Sequence, residues 1–276
     1  MAKNKNLSKL ILVVIAGIVL LATAGVRTFG KAKKSADTQI TQPSADVPDR
    51  LEIPQCKEAR AEQIIEHKGY TVSYNSDWCI PNWVAYELTK EETYGHEERT
   101  DHFDPDPDVK GVCPTYRDYS RSGYDRGHMA PAGDMKWDQT AMQESFYLSN
   151  ICPQDHNLNK GDWNTLEEKA RYWARKYGNV YIVCGPIMSN NPETIGYNNV
   201  AVPDGFYKVF LTQINGEWQT IGFVFQNQPG ERPLISYCKS VDDIEKITGI
   251  DFFPSLDDNI EDQIEAHYSA SLWGLR

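Results

Sequence analysis

At 276 residues the chain exceeds the size at which one core usually stops growing, so it holds one large domain or two smaller ones. With 40% hydrophobic and 24% charged residues, and Gly and Pro at ordinary levels, it is neither disordered, nor collagen-like, nor a coiled coil. Residues 1–34 carry seven basic residues and no acid, which leaves 21 basic against 39 acidic residues in the remainder. That body, net −18, must hold any polyanionic partner through a local cluster of Arg and Lys or through a metal ion.

In chain order, Lys3, Lys5 and Lys9 precede the uncharged apolar run Leu10 to Val26, the layout of an export signal. Ala22-Thr23-Ala24 offers a cleavage site, while the length of the run and Arg27 beyond it equally suit an uncleaved membrane anchor. Either way residues 1–34 send the chain out of the cytoplasm, to the cell envelope or the medium. Residues 35–50, a mixture of Ser, Thr, Gln, Asp and Pro, read as a flexible linker, and a folded domain is expected from Leu51 to Arg276. All six cysteines lie in the body. An even number in an exported chain implies disulfides, with the pairing open, and the long spacings without Cys-x-x-Cys argue against a zinc cage.

Six segments rich in β-branched and aromatic residues are expected strands: Tyr70 to Tyr74, Trp83 to Leu88, Phe146 to Ile151, Val180 to Cys184, Phe206 to Thr212 and Trp218 to Phe225. The last two flank Asn215-Gly216, a hairpin turn signal. Trp163, Leu166, Ala170, Trp173 and Tyr177 recur at helical spacing before Gly178, and Val241 to Ile247 and Asn259 to Ser269 read as two further amphipathic helices. Because helical crossovers do not separate the strands regularly, the expected fold is α+β, a mainly antiparallel central sheet with flanking helices.

Asp125-Arg126-Gly127-His128 packs an acid, a guanidinium and an imidazole into four positions. An imidazole of ordinary pKa about 6.5 accepts a proton near neutrality, and a guanidinium holds a phosphate by two parallel hydrogen bonds. Taken alone, the string reads more simply as a salt bridge and a partly buried histidine. A second block shifts that balance: Ser149 to Gln154 leads into Asn159-Lys160-Gly161-Asp162-Trp163 and then Glu167. An Asn with a nearby Glu suffices to anchor a hydrated Mg²⁺, although Asn159 at a helix start also suits an N-cap and Glu167 a solvated surface.

At these residues the chain resembles the DNA/RNA non-specific endonucleases of the Serratia nuclease and endonuclease G type, with a ββα-metal active-site motif. The resemblance covers most of residues 65–255. It rests on Gly69-Tyr70 with Ser73-Tyr74-Asn75, on Pro81 to Leu88, on Tyr124 to Pro131, on Asn150 to Glu167, and on Thr248-Gly249 with Phe252-Phe253. It implies that His128 is the general base, Asn159 the direct ligand of a hydrated Mg²⁺ for which Mn²⁺ substitutes, and Glu167 the residue that positions a metal-bound water. Arg126 becomes the phosphate-binding arginine of the motif, and Arg99 matches a second one, with Arg117 or Arg121 as alternatives. Cys152 departs from the family pattern between Asn-Ile and Pro-Gln. His67, His96, His102 and His267 are expected at the surface, and His156 close to the site.

The implied activity is hydrolysis of DNA and RNA phosphodiesters to 5′-phosphate ends. The implied partners are nucleic acid, the membrane if the N-terminal segment stays uncleaved, and a second copy of the chain, since some relatives are dimers. Two other readings stay open: a non-catalytic, disulfide-stapled envelope binding module, and a phosphodiesterase for another substrate.

Overall fold

The computed structural model describes residues 49–276; the export segment and nearly all of the linker lie outside them. Among the described residues no helix is long and apolar enough to cross a membrane. Seven strands form one sheet: β1 (Gln63–Glu66), β2 (Thr71–Asn75), β3 (Ile80–Thr89), β4 (Asn179–Ile187), β5 (Gly205–Ile214), β6 (Glu217–Gln226) and β7 (Cys238–Lys239). Their spatial order is β7-β6-β5-β4-β3-β2-β1, and every pairing is antiparallel. The sheet is therefore a meander, neighbours in sequence lying side by side, with one long excursion: residues 90–178, between β3 and β4, leave the sheet and return.

The period of two explains why both faces are covered. On β4, Val180, Ile182 and Cys184 join one core with Phe206 and Phe210 of β5, while Tyr181 and Val183 join a second with Tyr207, Val209 and Leu211. Helix α1 (Asn164–Tyr177) covers the first face with Leu166, Ala170, Trp173 and Ala174 buried. The Trp173 indole packs edge-on against Phe210 and donates to the Trp273 carbonyl at 2.8 Å, tying down the C-terminal segment. Helices α2 (Val241–Thr248) and α3 (Asp258–Glu265), with Phe252 and Phe253 between them, cover the second face. Asn215 and Gly216 both take positive φ in the β5–β6 turn, as a two-residue hairpin of this twist requires.

The expected α+β architecture is thus found, with local corrections. Phe146 to Ile151 is not a strand: Leu148–Asn150 is a single 3₁₀ turn, and pairing starts at Ile151. The turn lets Ser149 reach Asp106 while Asn150 clamps Ala130 on both its N–H and its carbonyl, contacts that an extended backbone would break. The last helix ends at Glu265, where the Ile264 carbonyl accepts from the Thr220 hydroxyl. The disulfides expected from the cysteine count are not formed; all six cysteines are free thiols. His67 is not at the surface either, since its side chain is 2% exposed and its Nε2 lies 3.0 Å from the buried Asp106 carboxylate.

Candidate active site

The excursion between β3 and β4 carries the site. Strand Asp125–His128 pairs antiparallel with Ile151–Gln154, with Gly127 opposite Cys152 and His128 opposite Ile151. Glycine is required here because a Cβ on residue 127 would stand 2.2 Å from the Gln154 side-chain oxygen. From Gln154 the chain enters a short helix capped by Asp155, kinks at Gly161 (φ −97°, ψ −109°), and continues as α1. Two strands and a helix are thereby locked into one unit. Two bonds close it: Asn159 Nδ2 donates to Asp125 Oδ2 at 2.9 Å, and Trp163 Nε1 donates to the His128 carbonyl at 3.2 Å.

Asn159 has helical backbone angles (φ −55°, ψ −49°), and the cap of the preceding helix is Asp155, so Asn159 is not an N-cap. Its amide donor is committed to Asp125, and its carbonyl oxygen accepts from no described residue. Asp125 also meets His156 Nδ1 at 3.0 Å. Partial burial acts against ionisation of Asp125, but the bonds from Asn159 and His156 outweigh it and hold the carboxyl below its ordinary range. His156 therefore lies next to the site, as its position in the sequence suggested.

His128 is 7% exposed, and its Nε2 has no hydrogen-bond partner. Its ring lies edge-on to Phe146 at 4.9 Å and 5.4 Å from Phe103, and the two phenylalanines touch at 5.0 Å. The same aromatics carry the arginines. Arg126 is sandwiched between Phe103 (4.7 Å) and Tyr116 (4.5 Å), and Arg99 lies 4.9 Å over Phe146. Burial, then the charges of Arg99 and Arg126, push the His128 pKa down to about 3, so the imidazole is neutral at pH 7. Arg117 and Arg121, the alternatives to Arg99, are exposed, as is Arg99, which also pairs with Asp101.

Glu167, on the first turn of α1, is pushed up to about 7 by burial, opposed first by the Lys208 ammonium. Behind it the fully buried Asp134 accepts from Arg171 at 2.7 Å and from the Tyr86 hydroxyl at 2.9 Å. The structure brings Arg99 and Arg126 beside His128, puts Arg99 within electrostatic range of Glu167, and ties Asn159 to Asp125 of the strand that bears His128. It adds Phe103, Phe146, Tyr86, Asp134, Arg171 and Lys208, which motif reading passed over. Two of these carried a sequence signal: Arg171 stands one helical turn after Glu167, and Lys208 alternates with Phe206 and Phe210. A cavity of about 430 Å³ bounded by Arg60, Asn75, Trp78 and Asn190 contains none of these residues.

A hairpin-and-helix unit presents an unpaired imidazole in the field of two arginines, an arrangement suited to an anionic ligand. Residues 48–259 match the family model described as DNA/RNA non-specific endonuclease. The chain is 38% identical over 214 residues to the mitochondrial nuclease EXOG of Xenopus laevis, covering 71% of this chain and 59% of that protein. It is 38% identical over 214 residues to nuclease C1 of Cunninghamella echinulata var. echinulata (71% and 85% covered), and 34% identical over 209 residues to human mitochondrial endonuclease G (70% of each). A crystal structure of the EndoG/EndoGI complex contains a chain that superposes with a TM-score of 0.67 at 32% identity, covering 71% of this chain and 88% of that one. The chain belongs to the DNA/RNA non-specific endonuclease family. It spans less than two thirds of the length of the EXOG nucleases, from 57% to 60%.

Proposed function

We propose that the protein is a divalent-metal-dependent endonuclease that hydrolyses DNA and RNA phosphodiesters with little sequence preference and leaves 5′-phosphate ends. The observation that supports this most is the neutral imidazole of His128, its buried Nε2 unpartnered, in the field of Arg99 and Arg126. In this reading His128 accepts the proton of the attacking water as the new O–P bond forms and the P–O3′ bond breaks. Arg126 and Arg99, oriented by their aromatic platforms, take the charge that grows on the non-bridging oxygens, and Glu167 orients water at the site.

The residues present fit a hydrated Mg²⁺, with Mn²⁺ as a substitute. The Asn159 carbonyl is a hard, uncommitted oxygen donor, and among the described residues no three His, Cys, Asp or Glu side chains converge into a cage. Asn159 would hold the ion with water in its remaining positions, and the ion would supply charge stabilisation at the phosphate. Contact through a few arginines suits phosphate recognition shared by DNA and RNA and involves no reading of base edges. The N-terminal lysines and apolar run support action outside the cytoplasm, with the membrane as a partner if that segment is retained.

Full-length protein is expected to nick supercoiled plasmid and degrade RNA in Mg²⁺, to stop in EDTA and to recover when Mg²⁺ is restored. The new 5′ ends should become labelable by kinase only after phosphatase treatment. Protein that binds DNA but cleaves neither substrate with Mg²⁺ or Mn²⁺ would refute the assignment and leave a binding module.

A further inference from the structure

Lys208 stands in the middle of β5, between Phe206 and Phe210, on the face that packs against α1. The alternation of the strand calls for an apolar residue there, yet the position holds an ammonium that is 1% exposed. Its Nζ lies 4.4 Å from the centroid of the Trp163 ring and donates to the Met129 carbonyl at 3.3 Å. The Cys184 thiol, opposite Lys208 in the β4–β5 register, donates to the same carbonyl at 3.2 Å. Met129 follows His128, and Trp163 holds the His128 carbonyl, so the lysine lies directly beneath the catalytic strand.

Removing an ammonium from water is costly unless an opposite charge and good hydrogen bonds compensate. Among the described residues Lys208 forms no ion pair, and one carbonyl and one π face are its direct partners. Asp134, the other acid nearby, is already neutralised by Arg171. The uncommitted carboxyl that senses the Lys208 charge is Glu167, one helical turn beyond Trp163. The remaining groups that act on Glu167 are Asp134, Arg171, Arg99 and, across the sheet face, Cys184 and Tyr86.

We infer that Lys208 is a positioning residue of the nuclease site: a buried positive charge that supplies the counter-charge for the Glu167 carboxylate and, through the Met129 carbonyl and the Trp163 indole, fixes the strand end that bears His128. The inference rests on the nuclease reading. It explains why a lysine occupies a position where methionine would pack without desolvation cost. The Coulomb attraction also acts on Glu167 in the direction opposite to burial, keeping the carboxylate available to water near neutral pH.

The test is a double-mutant cycle of Lys208→Met and Glu167→Gln on full-length protein at saturating Mg²⁺, with kcat, KM, melting temperature and the pH profile of kcat measured. K208M should lose about ten-fold or more in kcat, the size expected for coupled neighbouring charges, with KM within about two-fold. Its acid limb should move to higher pH, and its melting temperature should be unchanged or raised. In the E167Q background K208M should cost several-fold less than it does in wild type, the remainder being the loss of support for the strand that bears His128. The same fold-loss in both backgrounds, an unmoved acid limb, or wild-type kcat in K208M would overturn the inference. Should K208M not accumulate, Lys208→Gln and Lys208→Arg replace it: the first must shift the limb, the second must not, and any other pattern is a refutation. A ¹³C carboxyl titration of Glu167 in wild type and variant reads the coupling without turnover. An inactive wild type would thus sink the nuclease reading, while an unchanged Glu167 midpoint would sink the role of Lys208.

Discussion

Each face of the central sheet buries a Lys or Glu side chain that has no ion-pair partner among the described residues, and the two are held in opposite ways. On the α1 face Lys208 finds a π cloud, a carbonyl and the field of a carboxylate. On the other face Glu265 is 4% exposed with an unpartnered Oε1, and the charges that act on it are those of Glu245, Glu261, Asp251 and Asp242, all of its own sign. Complementary charge therefore accumulates on the face that carries the site, where Asp134 meets Arg171 and Asp125 meets Asn159 and His156. Two of the unpaired atoms of that face, His128 Nε2 and Arg126 Nε, belong to groups suited to meet a phosphodiester and water. The second face is a packing layer in which an unpaired carboxyl has no such use.

If that contrast holds, changes on the first face act on turnover and changes on the second act on stability. The largest effect is expected from His128→Ala, which removes the proton acceptor while leaving the sheet intact. Plasmid nicking should fall by roughly two to four orders of magnitude with the near-UV circular dichroism unchanged. A folded H128A protein that nicks like wild type would break the comparison at its strongest point.

Phe252→Ala probes the other side. The ring is fully buried and packs edge-on against Tyr207 at 5.6 Å, so its loss should destabilise the domain by about 3–5 kcal/mol. Below the lowered melting temperature its kcat should match wild type; a parallel fall in kcat would show that the two faces are not separable.

Asn159→Ala should raise the Mg²⁺ concentration for half-maximal activity by more than about ten-fold. Stability should fall by no more than the single hydrogen bond to the Asp125 carboxylate contributes, about 1–3 kcal/mol. A metal titration that superposes on wild type would remove Asn159 from the ion.

The sheet was legible in the sequence because its strands alternate, and α1 because its tryptophans recur at helical spacing. The short strands were not. Gln63–Glu66 is an edge strand with one buried side chain, and Asp125–His128 is built from motif residues whose polarity masks a β conformation. Asn159 and His128 were identifiable by family pattern, but the aromatic platform under the arginines was not. Phe103, Tyr116 and Phe146 are scattered over more than forty positions and meet only through the fold. Lys208 was within reach, because the alternation of Phe206 and Phe210 already places it on their face.

The smallest effect expected is also the cleanest test of the packing face. Burial, reinforced by Glu245, Glu261, Asp251 and Asp242, pushes the Glu265 carboxyl up to about 9, against an ordinary value of 4.5. Because the folded value lies above the unfolded one, the folded chain retains a proton between pH 4.5 and 9 that the unfolded chain has released. Stability linked to this group is thus fully present below pH 4.5 and is lost progressively as pH rises toward 9. Glu265→Gln keeps the shape of the neutral acid and has nothing to ionise, so its melting temperature should equal that of wild type at pH 5. Its advantage should grow steadily from pH 5 to pH 9, read as a widening gap in melting temperature. If the difference between E265Q and wild type stayed constant across that range, Glu265 would be ionised in the folded chain. Its charge would then be offset by a cation on this face such as Lys57, which pairs with Glu245 and Asp251.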